Sequence, residues 1–132
     1  LDIVDSTFTG NTSTTSVGAV QNFAGTTNIA NSEFAGNSAA NTSGAVLNNA
    51  GGVMTITNSM FTGNRAGNAA GALTNNVSST LRITNGTFAG NSATTGGGIF
   101  ISGATTTTIT NSVVWGNSGN TLTGATITYS VI

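Results

Sequence analysis

The sequence predicts an all-β chain wound as a right-handed parallel β-helix (β-solenoid) of about five coils with 26–27-residue repeats. Three observations predict it. One nine-residue pattern returns at a nearly constant interval. Its residues are strand and turn formers. Charged residues make up only 4% of the chain, against roughly 25% in ordinary globular proteins. All 132 residues read as one β-helix segment, with coils starting near 3, 29, 56, 83 and 109 and a partial coil at 127.

The pattern runs from Ile3 to Asn11 and returns from Ile29 to Asn37, Ile56 to Asn64, Ile83 to Asn91 and Ile109 to Asn117. A shortened copy runs from Ile127 to Ile132. The leading isoleucines are 26, 27, 27, 26 and finally 18 positions apart. Each copy opens with a strand, since apolar and polar residues alternate, as in Leu81, Arg82 and Ile83. Ile and Phe are five positions apart, an odd number, so a bend must separate them if both point inward. Gly-Asn pairs at 10–11, 36–37, 63–64, 90–91 and 116–117 supply a turn that tolerates positive φ. A second block follows at Val17 to Val20, Ser43 to Val46, Ala70 to Leu73 and Gly96 to Ile99. The fifth copy has no clear equivalent. Gly-Ala steps at 18–19, 44–45 and 71–72 leave room for a tight turn.

Each repeat therefore supplies two or three short strands, and each strand pairs with its counterpart in the next repeat. Equivalent residues then stack at about 4.8 Å. Ile3, Ile29, Ile56, Ile83, Ile109 and Ile127 form one interior ladder. Phe8, Phe34, Phe61 and Phe88 form an aromatic ladder, continued by Val114 and Ile132. Asp5, Asn31, Asn58, Asn85 and Asn111 are placed to hydrogen-bond amide to amide, and a second such column runs from Asn11 to Asn117. One coil buries about six to eight apolar side chains at roughly 1.5–3 kcal/mol each. Fixing its backbone costs about 1–2 kcal/mol per residue, so a coil needs neighbours.

The Phe-x-x-Asn signature (Phe8 to Asn11, Phe34 to Asn37, Phe61 to Asn64, Phe88 to Asn91), with a Gly-Gly-Ala-Ile-like block clearest at Gly96 to Ile99, resembles the repeats of chlamydial polymorphic outer membrane proteins. The stretch from Thr110 to Val131 is similar to the end of the helix in large bacterial surface proteins of the choice-of-anchor Q type. Together these resemblances cover the whole chain. They imply a right-handed parallel β-helix, secretion, a surface, adhesin-like or passenger role, and no shared catalytic residues. The chain departs from the pattern where Val17, Ser43 and Ala70 replace the first Gly of the second block.

Composition narrows the function classes. The only charges are Asp2, Asp5, Glu33, Arg65 and Arg82, so the chain has no electrostatic means of attracting nucleic acid. Aromatic residues are too sparse to stack bases. No run is long and apolar enough to enter a membrane as a helix. The chain contains no His, Lys, Cys or Pro, so a general base and a Lys or Cys nucleophile are lacking. A glycosidase needs two carboxylates about 5–10 Å apart. Asp5 lies in the first asparagine column, whereas Glu33 shares a column with Thr7, Met60, Thr87 and Val113. No catalytic residue, cofactor or metal is expected, and the chain reads as a non-enzyme.

Arg65 falls in the column of Thr12, Ser38, Ser92 and Ser118, and Arg82 beside Thr55 and Thr108; both read as solvated surface residues. Trp115 replaces Thr9, Ala35, Thr62 and Ala89 at an outward position, where it can stack on a sugar ring or cover the thinner fifth coil. The run Thr105 to Thr108, with Thr57, Thr84, Thr110 and Thr128, suggests an ice-binding face, but Val4 and Ala30 interrupt the column. Asn-x-Ser/Thr sequons at Asn11, Asn41, Asn76 and Asn85 are what chance gives in so Asn-rich a chain.

The chain does not open with Met and reads as an excised or mature portion of something longer. Its ends are in strand pattern, and Ile127 to Ile132 aligns with Ile3 to Phe8. Open strand edges are normally covered. Leu1, Ile3, Phe8, Ile127, Tyr129 and Ile132 are therefore read as assembly edges, covered by flanking coils or by another copy stacked head to tail. The expected function is a structural β-solenoid segment that extends a secreted or cell-surface protein or assembles head to tail into extracellular filaments. The alternative is an adhesin or passenger module binding glycans or host surfaces.

Overall fold

The computed structural model describes residues 1–103, 105–119, 122 and 124–132. Ala104, Asn120, Thr121 and Thr123 lie outside the described residues, the last three within the stretch that resembles surface proteins. The first turn carries β1 (Asp2–Val4), β2 (Thr7–Thr9), β3 (Thr12–Ser13) and β4 (Val20–Phe23). The second carries β5 (Thr26–Ala30), β6 (Glu33–Ala35), β7 (Ser38–Ala39) and β8 (Val46–Asn49). The third carries β9 (Val53–Thr57), β10 (Met60–Thr62), β11 (Arg65–Ala66) and β12 (Leu73–Asn76). Then come β13 (Thr80–Thr84), β14 (Thr87–Ala89) and β15 (Ile99–Ser102) in the fourth turn. After these come β16 (Thr106–Thr110), β17 (Val113–Trp115) and β18 (Thr126–Thr128).

Strands join only to their counterparts one turn away. A long sheet runs β1-β5-β9-β13-β16-β18, a second runs β2-β6-β10-β14-β17, a third β3-β7-β11 and a fourth β4-β8-β12-β15. Every pairing is parallel, as in Ile29 with Ile56 and Phe34 with Phe61. The protein is a parallel β-solenoid of about four turns followed by a shortened fifth, as the repeats predict. Its first three turns hold four strands each, not two or three. The additional strand is the two-residue piece after the Gly-Asn turn, too short for any alternation to announce it.

Bends between strands follow from residue type. Asp5, Asn31, Asn58, Asn85 and Asn111 adopt φ of 50, 49, 49, 54 and 49°, a left-handed conformation that Asn and Asp tolerate best among non-glycine residues. This bend lets the odd spacing keep both Ile and Phe inside. In the second block the backbones pack hard upon one another. A Cβ on Gly44 would stand 2.0 Å from the Gly71 carbonyl oxygen and 2.7 Å from the Arg65 nitrogen. Only glycine fits there.

The interior is a set of axial columns. The ring centroids of Phe8, Phe34, Phe61 and Phe88 are 4.7, 4.7 and 4.6 Å apart, with ring planes within 2–3° of parallel. Phe34, Phe61 and Phe88 are fully buried, as are Ile56, Met54, Leu73 and Leu81. Asn37, Asn64 and Asn91 are also fully buried. The Asn64 Nδ2 donates to Asn91 Oδ1 at 2.9 Å and to the Phe34 carbonyl at 2.9 Å. Its Oδ1 accepts from the backbone N and Nδ2 of Asn37 at 2.9 and 3.0 Å. Such full pairing is what makes buried amides tolerable. The Asp5-to-Asn111 column also forms its ladder, with Asn85 donating to Asn58 at 2.8 Å, but on the surface.

Candidate functional site

The charged side chains are dispersed over the rod. Asp2 accepts a hydrogen bond from Asn28 Nδ2 at 2.7 Å, and Asp5 accepts one from Asn31 Nδ2 at 3.1 Å. Asp5 and half-buried Glu33 line one open groove together with Ser6, Thr7, Asn31 and Ser32. The groove thus brings together two carboxylates whose columns differ. Among the described residues, no cluster of three or more His, Cys, Asp or Glu is placed to hold a metal ion. Among the described residues, no helix is long and apolar enough to cross a membrane.

Arg65 and Arg82 are exposed on different sheets. Arg65 pairs with Ser38 in the third sheet and lies among hydroxyls and small side chains, with Ser92, Thr94 and Ser118 along one groove. Arg82 stands on the long sheet between Thr55 and Thr108. The hydroxyl-rich groove and the threonine face are thus both polar, with one guanidinium each.

A partly enclosed site lies where the fifth turn thins. A cavity of about 210 Å³ is bordered by Ile99, Val114, Trp115, Asn117, Leu122 and Ile132, among others. Among the described residues the fourth sheet ends at β15, and Leu122 and Ala125 pack against the core beside it. Trp115 is 66% exposed at the mouth of this cavity. An apolar floor beside an exposed indole suits a flat, amphipathic ligand such as a sugar ring. Of the residues singled out in the sequence, Trp115, Val114 and Ile132 meet here. Leu1, Ile3 and Phe8 lie at the other extremity of the stack, because β1 and β18 are the outermost strands of the long sheet.

Two further columns escaped the sequence reading. Asn22 donates to Asn48 Oδ1 and Asn48 to Asn75 Oδ1, each at 2.8 Å, and Asn75 donates to Thr107 Oγ1 at 3.0 Å. Serine hydroxyls beside the first bend accept from backbone N–H groups one turn away, as at Ser6 to Ser32 and Ser32 to Ser59, each 3.1 Å. The signal for the first was the recurrence of Asn at 22, 48 and 75. It was masked because its fourth member is Ile101. Comparison with protein-family models, curated proteins and solved structures finds no match.

Proposed function

We propose that this chain is a structural rod segment of a secreted or cell-surface protein, whose coils are continued along the axis by flanking coils or by another copy stacked head to tail. The observation that carries this reading is the strict axial register. Several apolar columns that are sealed in the middle of the stack come to the surface at its extremities, although Ile3 in the first turn stays buried. Phe34, Phe61 and Phe88 are fully buried, whereas Phe8 and Val114 are half-buried and Ile127 and Ile132 are 40% and 42% exposed. A further coil in register would cover them. The near-absence of charge leaves little repulsion to oppose stacking. The likeness to bacterial surface repeats adds the extracellular setting.

Electron microscopy of the chain over a dilution series tests the head-to-tail form. Filaments that shorten when Ile127→Lys places a charge at the last strand are the expected result. Discrete particles at every concentration would eliminate self-assembly and leave continuation by flanking coils. A second reading is favoured by the cavity at Trp115: a glycan-binding, adhesin-like module. Glycan-array binding that Trp115→Ala removes would establish it; an array silent for the intact chain would dismiss it.

A further inference from the structure

The long sheet carries an outward face that a rod does not require. Thr57, Thr84, Thr110 and Thr128 stand in one unbroken column. Beside it run Thr55, Thr108 and Thr126, with Arg82 between the first two. Val4 and Ala30 occupy the equivalent positions only in the first two turns, so the interruption foreseen in the sequence leaves the array from β9 onward intact. Thr57, Thr110 and Thr128 use their carbonyls within the fold, accepting from the hydroxyls of Ser59, Ser112 and Ser130. Their own side chains point away from the core, as strand alternation requires.

Three physical features distinguish this face from an ordinary threonine-rich surface. First, it is in strict register: each threonine of the column pairs directly with its counterpart one strand away, from Thr57 through Thr84 and Thr110 to Thr128. Second, it is regular in two directions. The axial repeat follows the 4.6–4.7 Å ring spacing, and alternate residues along a strand are about 6.6 Å apart. The axial repeat lies close to the shorter oxygen repeat on the prism face of hexagonal ice. Third, threonine is stiff at χ1, so each position offers a methyl and a hydroxyl in a nearly fixed arrangement. The methyls order a water cage, and the hydroxyls join it by hydrogen bonds.

We propose that the outward face of the long sheet, from β9 to β18, binds the surface of ice. The occupant is a lattice of ordered water rather than a protein or a glycan. Arg82 is the one charge within the array, and its own hydration works against lattice matching. The inference does not depend on head-to-tail assembly.

The experiment measures ice recrystallisation and crystal shape with the whole chain, each variant first shown by circular dichroism to be folded. The intact chain is expected to halt recrystallisation and to facet growing crystals. Thr84→Tyr and Thr110→Tyr, which place bulky rings on the face, should abolish both effects. Ser38→Tyr, on the third sheet, should leave them unchanged, and Arg82→Thr should strengthen them. A folded intact chain whose crystals stay rounded, as in serum albumin, overturns the proposal. So does equal loss in Ser38→Tyr and Thr84→Tyr, or a weaker effect in Arg82→Thr.

Discussion

Asparagine performs two separate tasks in this molecule, and the difference is visible residue by residue. Asn58 is exposed, holds φ at 49° and accepts from Asn85, so its main contribution is to bend the chain. Asn64 is fully buried and is bonded to both neighbouring turns and to the Phe34 carbonyl. Asn64→Ala leaves buried partners unsatisfied, a loss expected at about 3 kcal/mol. Asn58→Gly keeps the bend and should change stability by less than about 1 kcal/mol. Urea denaturation of both variants checks the contrast; equal effects would mean that burial is not what separates the two columns. Glycines divide in the same way. Gly36 has φ of +61° with nothing within 4 Å of a built Cβ, so Gly36→Ala should cost about 1–2 kcal/mol from backbone strain alone. Gly44→Ala drives a methyl into main-chain atoms of two neighbouring segments and should cost more than about 4 kcal/mol, lowering the denaturation midpoint far more than its counterpart.

No element here is stable by itself. Strands of two to five residues contain no internal pairing, and each finds its hydrogen-bonding partner only one turn away. The aromatic column shows how side chains reinforce that pairing. Phe61 lies between Phe34 and Phe88 with nearly parallel rings, so it contributes both buried area and stacking. Phe61→Ala is expected to cost about 3–5 kcal/mol. A double-mutant cycle with Phe34→Leu and Phe61→Leu should return a coupling of about 1 kcal/mol. Strict additivity would show that the rings merely occupy volume. The fifth turn illustrates the opposite case: among the described residues it adds no strand to the fourth sheet, and a cavity lies beside Trp115.

At the scale of the whole molecule, stability accumulates through contacts between neighbouring turns. Strands β5 to β10 and β12 to β14 have a paired strand on either side, whereas β1 and β18 have one. Amide hydrogen exchange should therefore be slowest at Ile56 and Phe61 and progressively faster towards Ile3 and Ile127. Uniform protection along the axis would instead indicate one all-or-none unit.

How much of this was legible in the chain depends on how its information is stored. The interval between Ile3, Ile29 and Ile56 determined which residues lie above one another, and the five-residue step to Phe required a bend. Those two facts give the solenoid, because parallel pairing at a constant interval can only stack equivalent side chains. Tertiary structure alone decided that Asn64 is sealed while Asn58 is wet, since both recur with the same period. It also decided that Asn22, Asn48 and Asn75 form an internal ladder. The reason is physical: a repeat specifies neighbours along the axis, but the depth and direction of a side chain depend on how sharply each turn bends across it.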